Sequence, residues 1–227
     1  MSIDVDAILR ARGQRITREG YPLHVLMETF KQIEAAEEEV KRSSLTPETK
    51  WILQRSYVLT AITSCEVYFK DMLRTLFSIS KKDSFLGKLQ LFHKEKYGID
   101  ELLSMQFQGI SPFDLVLASA NFQNISEIDK VFSAIIGKPF WKAVFAQNVF
   151  TEREGTKIPL TEDALGDFGR LLNLRHELTH DPDHKRRNLT EEELAMIRSI
   201  PTLIFACDFI IIGYVMANPG YKTTKDS

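Results

Sequence analysis

The sequence is poor in the residues that mark a cross-linked or strongly charged protein. It has two cysteines, Cys65 and Cys207, both in apolar surroundings and with no C-x-x-C pair. That spacing gives no disulfide framework and fits a reducing cytosol. Neither sign of charge dominates: 29 Lys and Arg against 31 Asp and Glu leave a formal charge of −2 and a pI near 6.2. No global basic field therefore advertises a nucleic-acid binder, and any RNA contact must come from a local basic cluster. The opening residues, MSIDVDAILRARGQR, lack the apolar stretch of a signal peptide. No internal repeat is visible and no segment reads as a strand. The expectation is a cytoplasmic protein.

What the chain has is apolar mass: 44% hydrophobic residues, 15 of them Phe, enough for a sizeable core. One run tests the cytoplasmic reading, because residues 200–217 are nearly all apolar and approach the length that spans a bilayer. Asp208 lies in the middle of that run, where insertion would cost roughly 2.5–3.5 kcal/mol. Pro201 and Gly213 interrupt it, and no basic cluster flanks it. A helix buried inside a bundle, with no membrane partner, is the expected outcome.

Almost every segment reads as helix. Residues 22–42 form a weakly amphipathic one, with Glu37-Glu38-Glu39 as a solvated face. Thr46-Pro47-Glu48 supplies an N-cap, a proline at the first helical position and an acid in the first turn. The helix that follows runs to about residue 80. Trp51, Val58, Cys65, Met72 and Ile79 recur at seven-residue intervals, with Ile62, Phe69 and Leu76 between them, which is a bundle-type stripe. The adjacent row, Ile52, Leu59, Glu66 and Leu73, carries a single charge. A carboxylate there needs a partner or an edge position that reaches water.

Shorter helices are expected at 84–97 and 100–108, split at Gly98, before a turn at Gly109-Ile110-Ser111-Pro112. Ser126-Glu127-Ile128-Asp129 starts another helix, which ends at Gly137-Lys138-Pro139, and a short aromatic helix with Phe140, Trp141 and Phe145 comes next. Residues 151–159 read as a polar loop. Thr161-Glu162-Asp163 then places acids at the positive end of a helix whose buried stripe is Leu171, Leu174 and Leu178. Pro182 disfavours helix at Asp181, so that helix ends near His180. Thr190 and Glu193 form a capping box for the last one. The expected fold class is all-α: a single domain over 1–227, with an N-terminal helical arm (1–45), a core (46–217) and a flexible tail (218–227).

The chemistry concentrates in Leu174-Arg175-His176-Glu177-Leu178-Thr179-His180-Asp181-Pro182. In one frame, His176-Glu177-x-x-His180 matches H-E-x-x-H, two zinc-binding histidines one turn apart with a glutamate to activate water. Against a zinc metallopeptidase stand the helix end at Asp181-Pro182 and the lack of a strand to hold a peptide. The nearest third ligands, Glu191, Glu192 and Glu193, open a capped helix, where acids have ordinary work.

Shifted by one residue, the string reads Arg175-His176-x-x-x-His180. In this frame the chain resembles the HEPN superfamily, whose signature is an Arg, a polar residue, three others and a His at a helix end. Ser64-Cys65-Glu66-Val67-Tyr68-Phe69 looks like the family's opening core helix with its acid. Residues 122–132, with Ile128, Val131 and Phe132, are similar to the segment before the motif in the RiboL-PSP-HEPN-like branch. The likeness covers roughly residues 46–217. His176 departs from the Asn that many members carry after the Arg. The resemblance implies a HEPN-like helical bundle with a long core helix, additional short helices and a long C-terminal helix. It also implies a metal-independent endoribonuclease with no cofactor, acting as a homodimer in a toxin or phage-defence role, with a cognate antitoxin or defence protein as a further partner.

The residues fit that chemistry. Cleavage of RNA by its own 2′-hydroxyl needs a base for that proton, an acid for the leaving 5′-oxygen and positive charge on the phosphate. Imidazole is the side chain suited to proton transfer near neutrality, which gives His180 the acid or base role. Arg175 offers a planar fork to phosphate oxygens. Positions five apart on a helix differ by about 140°, so one helix does not focus both on one point. Two copies across a two-fold axis could do so. His176 completes the catalytic set, and Lys185, Arg186 and Arg187 would supply local attraction for RNA. If the helices pack as in the family, Glu66 would orient Arg175 or His176 through an ion pair. The alternative is a non-catalytic interaction or dimerisation module, in which Arg175 and His180 merely cap the negative end of their helix.

Overall fold

Pro22, Pro47 and Pro112 each stand in the first turn of a helix, where a missing N–H breaks no bond and the fixed φ suits the helix. The computed structural model describes residues 21–80, 82–94, 97–147, 150–153, 156–180 and 187–217. In chain order the elements are α1 (Pro22–Arg42), α2 (Pro47–Ile79), α3 (Lys82–Phe92), α4 (Ile99–Phe107), α5 (Pro112–Ser119), α6 (Ile125–Ile136) and α7 (Phe140–Phe145). The hairpin β1 (Phe150–Arg153) and β2 (Thr156–Pro159) follows, then α8 (Asp163–His180) and α9 (Glu191–Ala217). The fold is all-α, the hairpin being its one departure among the described residues.

The local signals explain the helix ends. Thr46 Oγ1 accepts the Thr49 N–H at 3.3 Å and starts α2. Glu101 reaches back to the Gly98 N–H to start α4, while Gly109, at φ 67°, ends it, with the Ile110 N–H returning to the Met105 carbonyl. Gly137 closes α6 in the same left-handed conformation. Thr190 and Glu193 exchange the two bonds of a capping box at the start of α9. Two expectations shift. The helix expected over 84–97 stops at Phe92, and of the polar loop expected over 151–159 the described residues 151–153 and 156–159 lie in paired antiparallel strands, with Phe150 opposite Pro159 and Arg153 opposite Thr156. Thr, Phe and Ile favour strands, and the charges among them hid the alternation.

α2 is the central helix. Val58, Ala61, Ile62, Cys65, Phe69, Met72 and Leu76 are essentially closed to solvent, so the seven-residue stripe is the core stripe, while Ile52 on the flank row is 57% exposed. α1, α8 and α9 pack around α2, and α9 also meets α1 and α7. The shorter helices seat on the C-terminal half of α2. Phe69 meets Phe122 at 5.9 Å and Phe132 at 5.5 Å; Phe77 stacks on Phe113 at 3.9 Å; and Arg74 donates to Asp114 at 2.7 Å. Met105, Ile110 and Leu115 form a small second cluster.

α1 is part of this core rather than an arm: Leu23, Leu26, Phe30, Ile33 and Val40 are buried. Glu37 is buried too, at 5% exposure, which corrects the expected solvated face for Glu37-Glu38-Glu39. Its carboxylate takes two hydrogen bonds from Arg198 on α9, one of them 3.0 Å from Nε, and an ion pair from Lys41 at 2.9 Å. Burial works to raise this carboxyl, but the Arg198 and Lys41 hydrogen bonds outweigh it and hold it below its ordinary range.

Among the described residues, α9 is the one helix long and apolar enough to cross a membrane. Here it lies in the bundle with Asp208 turned inward. Asp208 accepts from Tyr21 at 2.8 and 3.0 Å and from Tyr68 at 2.9 Å, tying α9 to α2 and to the residue that precedes α1. Burial raises the Asp208 carboxyl, and the two phenol hydrogen bonds offset part of that. The outward side of α9 keeps Phe205, Phe209 and Met216 exposed.

Candidate active site at the end of α8

α8 turns Phe168, Leu171, Leu174 and Leu178 into the core. Helical spacing then sends His176 to the opposite face and brings His180, one turn later, above it. Both imidazoles are exposed, with ring centres 4.4 Å apart. Among the described residues neither has a carboxylate partner. Thr179 turns back on its own helix and donates to the Arg175 carbonyl at 2.8 Å.

Arg175 lies on the flank between these faces, half-buried. Its Nη1 donates to Gln123 Oε1 at 2.9 Å. Gln123 Nε2 in turn donates to Glu66 Oε2 at 2.6 Å, and Lys70 Nζ donates to Glu66 Oε1 at 2.7 Å. The direct ion pair expected between Glu66 and Arg175 or His176 therefore does not form. Lys70 is one turn along the same helix and reaches the carboxylate first, while Gln123 fills the space between α2 and α8. Burial works to raise the Glu66 carboxyl; hydrogen bonds from Lys70 and Gln123, with the more distant Arg175 charge, outweigh it and hold the carboxyl below its usual range.

Gln123 sits in a fixed turn. Phe122 beside it is 1% exposed, and Asn121 Oδ1 accepts the Gln123 N–H at 3.1 Å. Asn124 caps α6 by accepting the Ser126 N–H at 2.9 Å. α8 approaches this turn closely: a Cβ at Gly169 would stand 3.2 Å from Ile125 Cδ1.

A second side chain steadies the end of α8. The last four carbonyls of a helix lack intrahelical donors, and one of them, that of Leu178, accepts from Arg55 Nη2. The Arg55 guanidinium also lies over the Trp51 ring, 5.6 Å from its centre. Arg55 thus joins the start of α2 to the turn of α8 that presents His180.

The basic residues after the motif divide. Lys185 and Arg186 lie outside the described residues. Arg187 grips Glu193 with two bonds of 2.8 Å and donates to the Asn188 carbonyl at 2.9 Å, so its fork already serves the start of α9. The Arg187 hydrogen bonds, helped by the Thr190 backbone, pull the Glu193 carboxyl down to about 2. The acids considered as third zinc ligands are likewise engaged: Glu193 by Arg187, Glu192 by Arg170 at 2.7 Å, and Glu191 beside Arg198 at 3.8 Å. Among the described residues, no group of three or more His, Cys, Asp or Glu could hold a metal ion.

The motif residues alone pointed to Arg175, His176, His180 and Glu66; Gln123, Arg55 and Lys70 were not singled out. Lys70 had a legible signal, standing four residues after Glu66. Set against protein-family models, curated proteins and solved structures, the chain finds no match. The class that the fold itself defines is an all-α bundle in which α8 ends on two exposed histidines beside a tethered arginine.

Proposed function

We propose that the protein is a metal-independent endoribonuclease of HEPN type, with Arg175 and His180 as its catalytic pair and His176 beside them. The observation that carries this reading is the setting of Arg175. Its one side-chain hydrogen bond among the described residues goes to an uncharged amide, so Nε and Nη2 remain for a phosphate. In the reaction, a base removes the proton of the 2′-hydroxyl, O2′ attacks phosphorus, and the bond to O5′ breaks as that oxygen takes a proton. The products are a 2′,3′-cyclic phosphate and a 5′-hydroxyl. His180 supplies one of the proton transfers, and Arg175 offsets the negative charge that grows on the phosphoryl oxygens. Because the two lie about 140° apart around α8, a second copy would complete each site across a two-fold axis.

The test is cleavage of an oligoribonucleotide in EDTA by wild type, Arg175→Ala and His180→Ala. Wild type should cut and leave cyclic phosphate ends, with each variant slower by about 10²-fold or more. Activity that disappears with EDTA, or that survives both substitutions, would overturn the reading. A non-catalytic interaction module is the second reading. The exposed side chains Phe205, Phe209 and Met216 on α9, and Ile99, Leu103 and Phe107 on α4, favour it. It predicts stable association without cleavage.

A further inference from the structure

We infer that Gln123 is a positioning residue, an amide spacer that fixes Arg175 through one guanidinium nitrogen and keeps the Glu66 carboxylate off it. The inference rests on the ribonuclease reading for its kinetic consequence and on geometry for the rest. A carboxylate in direct contact with an arginine tends to take two N–H groups side by side and balances its charge. Phosphate needs that same fork and that same charge. An amide oxygen takes one N–H and carries no net charge, so it can hold the guanidinium without occupying it.

The chemistry leaves little choice of residue at position 123. The guanidinium only donates and the ionised carboxylate only accepts, so the link between them must accept at one end and donate at the other. That also fixes the amide orientation, with Oε1 toward Arg175 at 2.9 Å and Nε2 toward Glu66 at 2.6 Å. Glutamate would set two carboxylates together, lysine would face Arg175, and asparagine is one methylene short. The Glu66 charge is paired directly with Lys70 at 2.7 Å, and Arg175 acts on it only from a distance. The buried Phe122 holds the turn, so the tether is anchored in the core. An arginine side chain held this way enters the reaction with much of its rotamer freedom already removed.

The experiment compares wild type with Gln123→Met, which keeps the length and loses both hydrogen bonds, and with the exchange Glu66→Gln/Gln123→Glu. The exchange restores a hydrogen-bonded chain but sets a carboxylate on Arg175. On an oligoribonucleotide in EDTA, kcat for Gln123→Met should fall about 10- to 100-fold, with melting temperature close to wild type. The exchange variant should fold like wild type and show a raised KM without recovering kcat. Wild-type kinetics in either variant would overturn the inference, because a purely structural link would be repaired by the exchange. ¹⁵N NMR of the Arg175 guanidinium supplies a readout that does not depend on catalysis. Restricted rotation in wild type should be lost in Gln123→Met, and free rotation in wild type would overturn the tether. Absence of RNA cleavage with a restricted guanidinium would instead remove the ribonuclease reading and leave the tether standing.

Discussion

Glu66 and Arg175 face each other from α2 and α8 without touching, because the Gln123 amide stands between them, 2.6 Å from one and 2.9 Å from the other. The link joins the central helix of the bundle to the one that bears the histidines. It makes the placement of Arg175 a property of the core rather than of a surface side chain. The same bundle is held by two other polar contacts that long apolar helices do not ordinarily need, and each predicts a measurable cost.

The first is the carboxylate of Asp208, which two phenols share. Asp208→Ala would strand the Tyr68 hydroxyl in the core and remove the bond from Tyr21. A buried donor left without an acceptor costs about 1–3 kcal/mol. Urea denaturation should show a loss of about 3 kcal/mol for Asp208→Ala and about 1 kcal/mol for Tyr21→Phe, whose hydroxyl is less buried. Asp208→Asn keeps an acceptor and should fall between wild type and the alanine variant. Equal stability of all four proteins would show that the cluster does not bear on folding.

The second is the pair of Glu37 with Arg198. Removing one partner of a buried pair costs roughly 3–5 kcal/mol, and Arg198 retains some solvent contact, so Arg198→Ala should lose about 2–3 kcal/mol. Replacing both charges, as Glu37→Gln/Arg198→Met, should recover a large part of that loss, since no buried carboxylate is left with Lys41 as its one cationic partner among the described residues. A double variant less stable than either single one would contradict this account.

Such contacts separate what the sequence discloses from what it withholds. Thr46-Pro47-Glu48, the stripe through Val58, Cys65 and Met72, and the Thr190–Glu193 box are legible because each signal lies within a turn or two of its effect. Glu37 is not. It has the same side chain as Glu38 and Glu39, and which of the three turns inward depends on how α1 is rotated against Arg198, 161 residues away. Of the candidate site, the motif on α8 and the odd charge of Glu66 on its row are visible as patterns. Gln123 is one polar residue in a turn and no periodicity marks it, because its meaning lies in Arg175, 52 residues on. The hairpin was hidden for a related reason, since four-residue strands with charges among them are too short to show a period of two.

Stability should fall on the acid side of neutrality. Glu193 titrates at about 2 in the folded chain, against the 4.5 of an unperturbed glutamate. Glu37, Glu66 and Asp114 are also held below their ordinary values. For each, the unfolded chain binds a proton that the folded chain resists, so their contribution is complete above the unfolded value and is lost as pH falls through the folded one. Asp208 is shifted the other way and gives back a little stability in the same range. Melting temperature should therefore drop between about pH 5 and pH 2, and Glu193→Gln should flatten part of that slope while lowering stability at pH 7. An unchanged slope in Glu193→Gln would show that the Arg187 grip adds nothing.

The last prediction concerns Arg55, whose bond to the Leu178 carbonyl lies two residues before His180. A cation at the negative end of a helix contributes about 0.3–1 kcal/mol, and here it also supplies a donor to one of the orphan carbonyls. Arg55→Ala should remove that support and the contact with Trp51 while leaving the buried stripe of α8 in place. The global loss should then be about 1 kcal/mol, concentrated in the final turn. Hydrogen exchange separates this from general destabilisation: amides of 176–180 should exchange faster, while those of 168–172 keep their protection. If His180 acts in RNA cleavage, kcat should fall in step with the loosened turn, and Arg55→Lys, which keeps the charge and one donor, should recover part of it. Uniformly faster exchange along α8 would mean that Arg55 supports the packing of the whole helix, and the position of His180 would then depend on α2 through the apolar stripe alone.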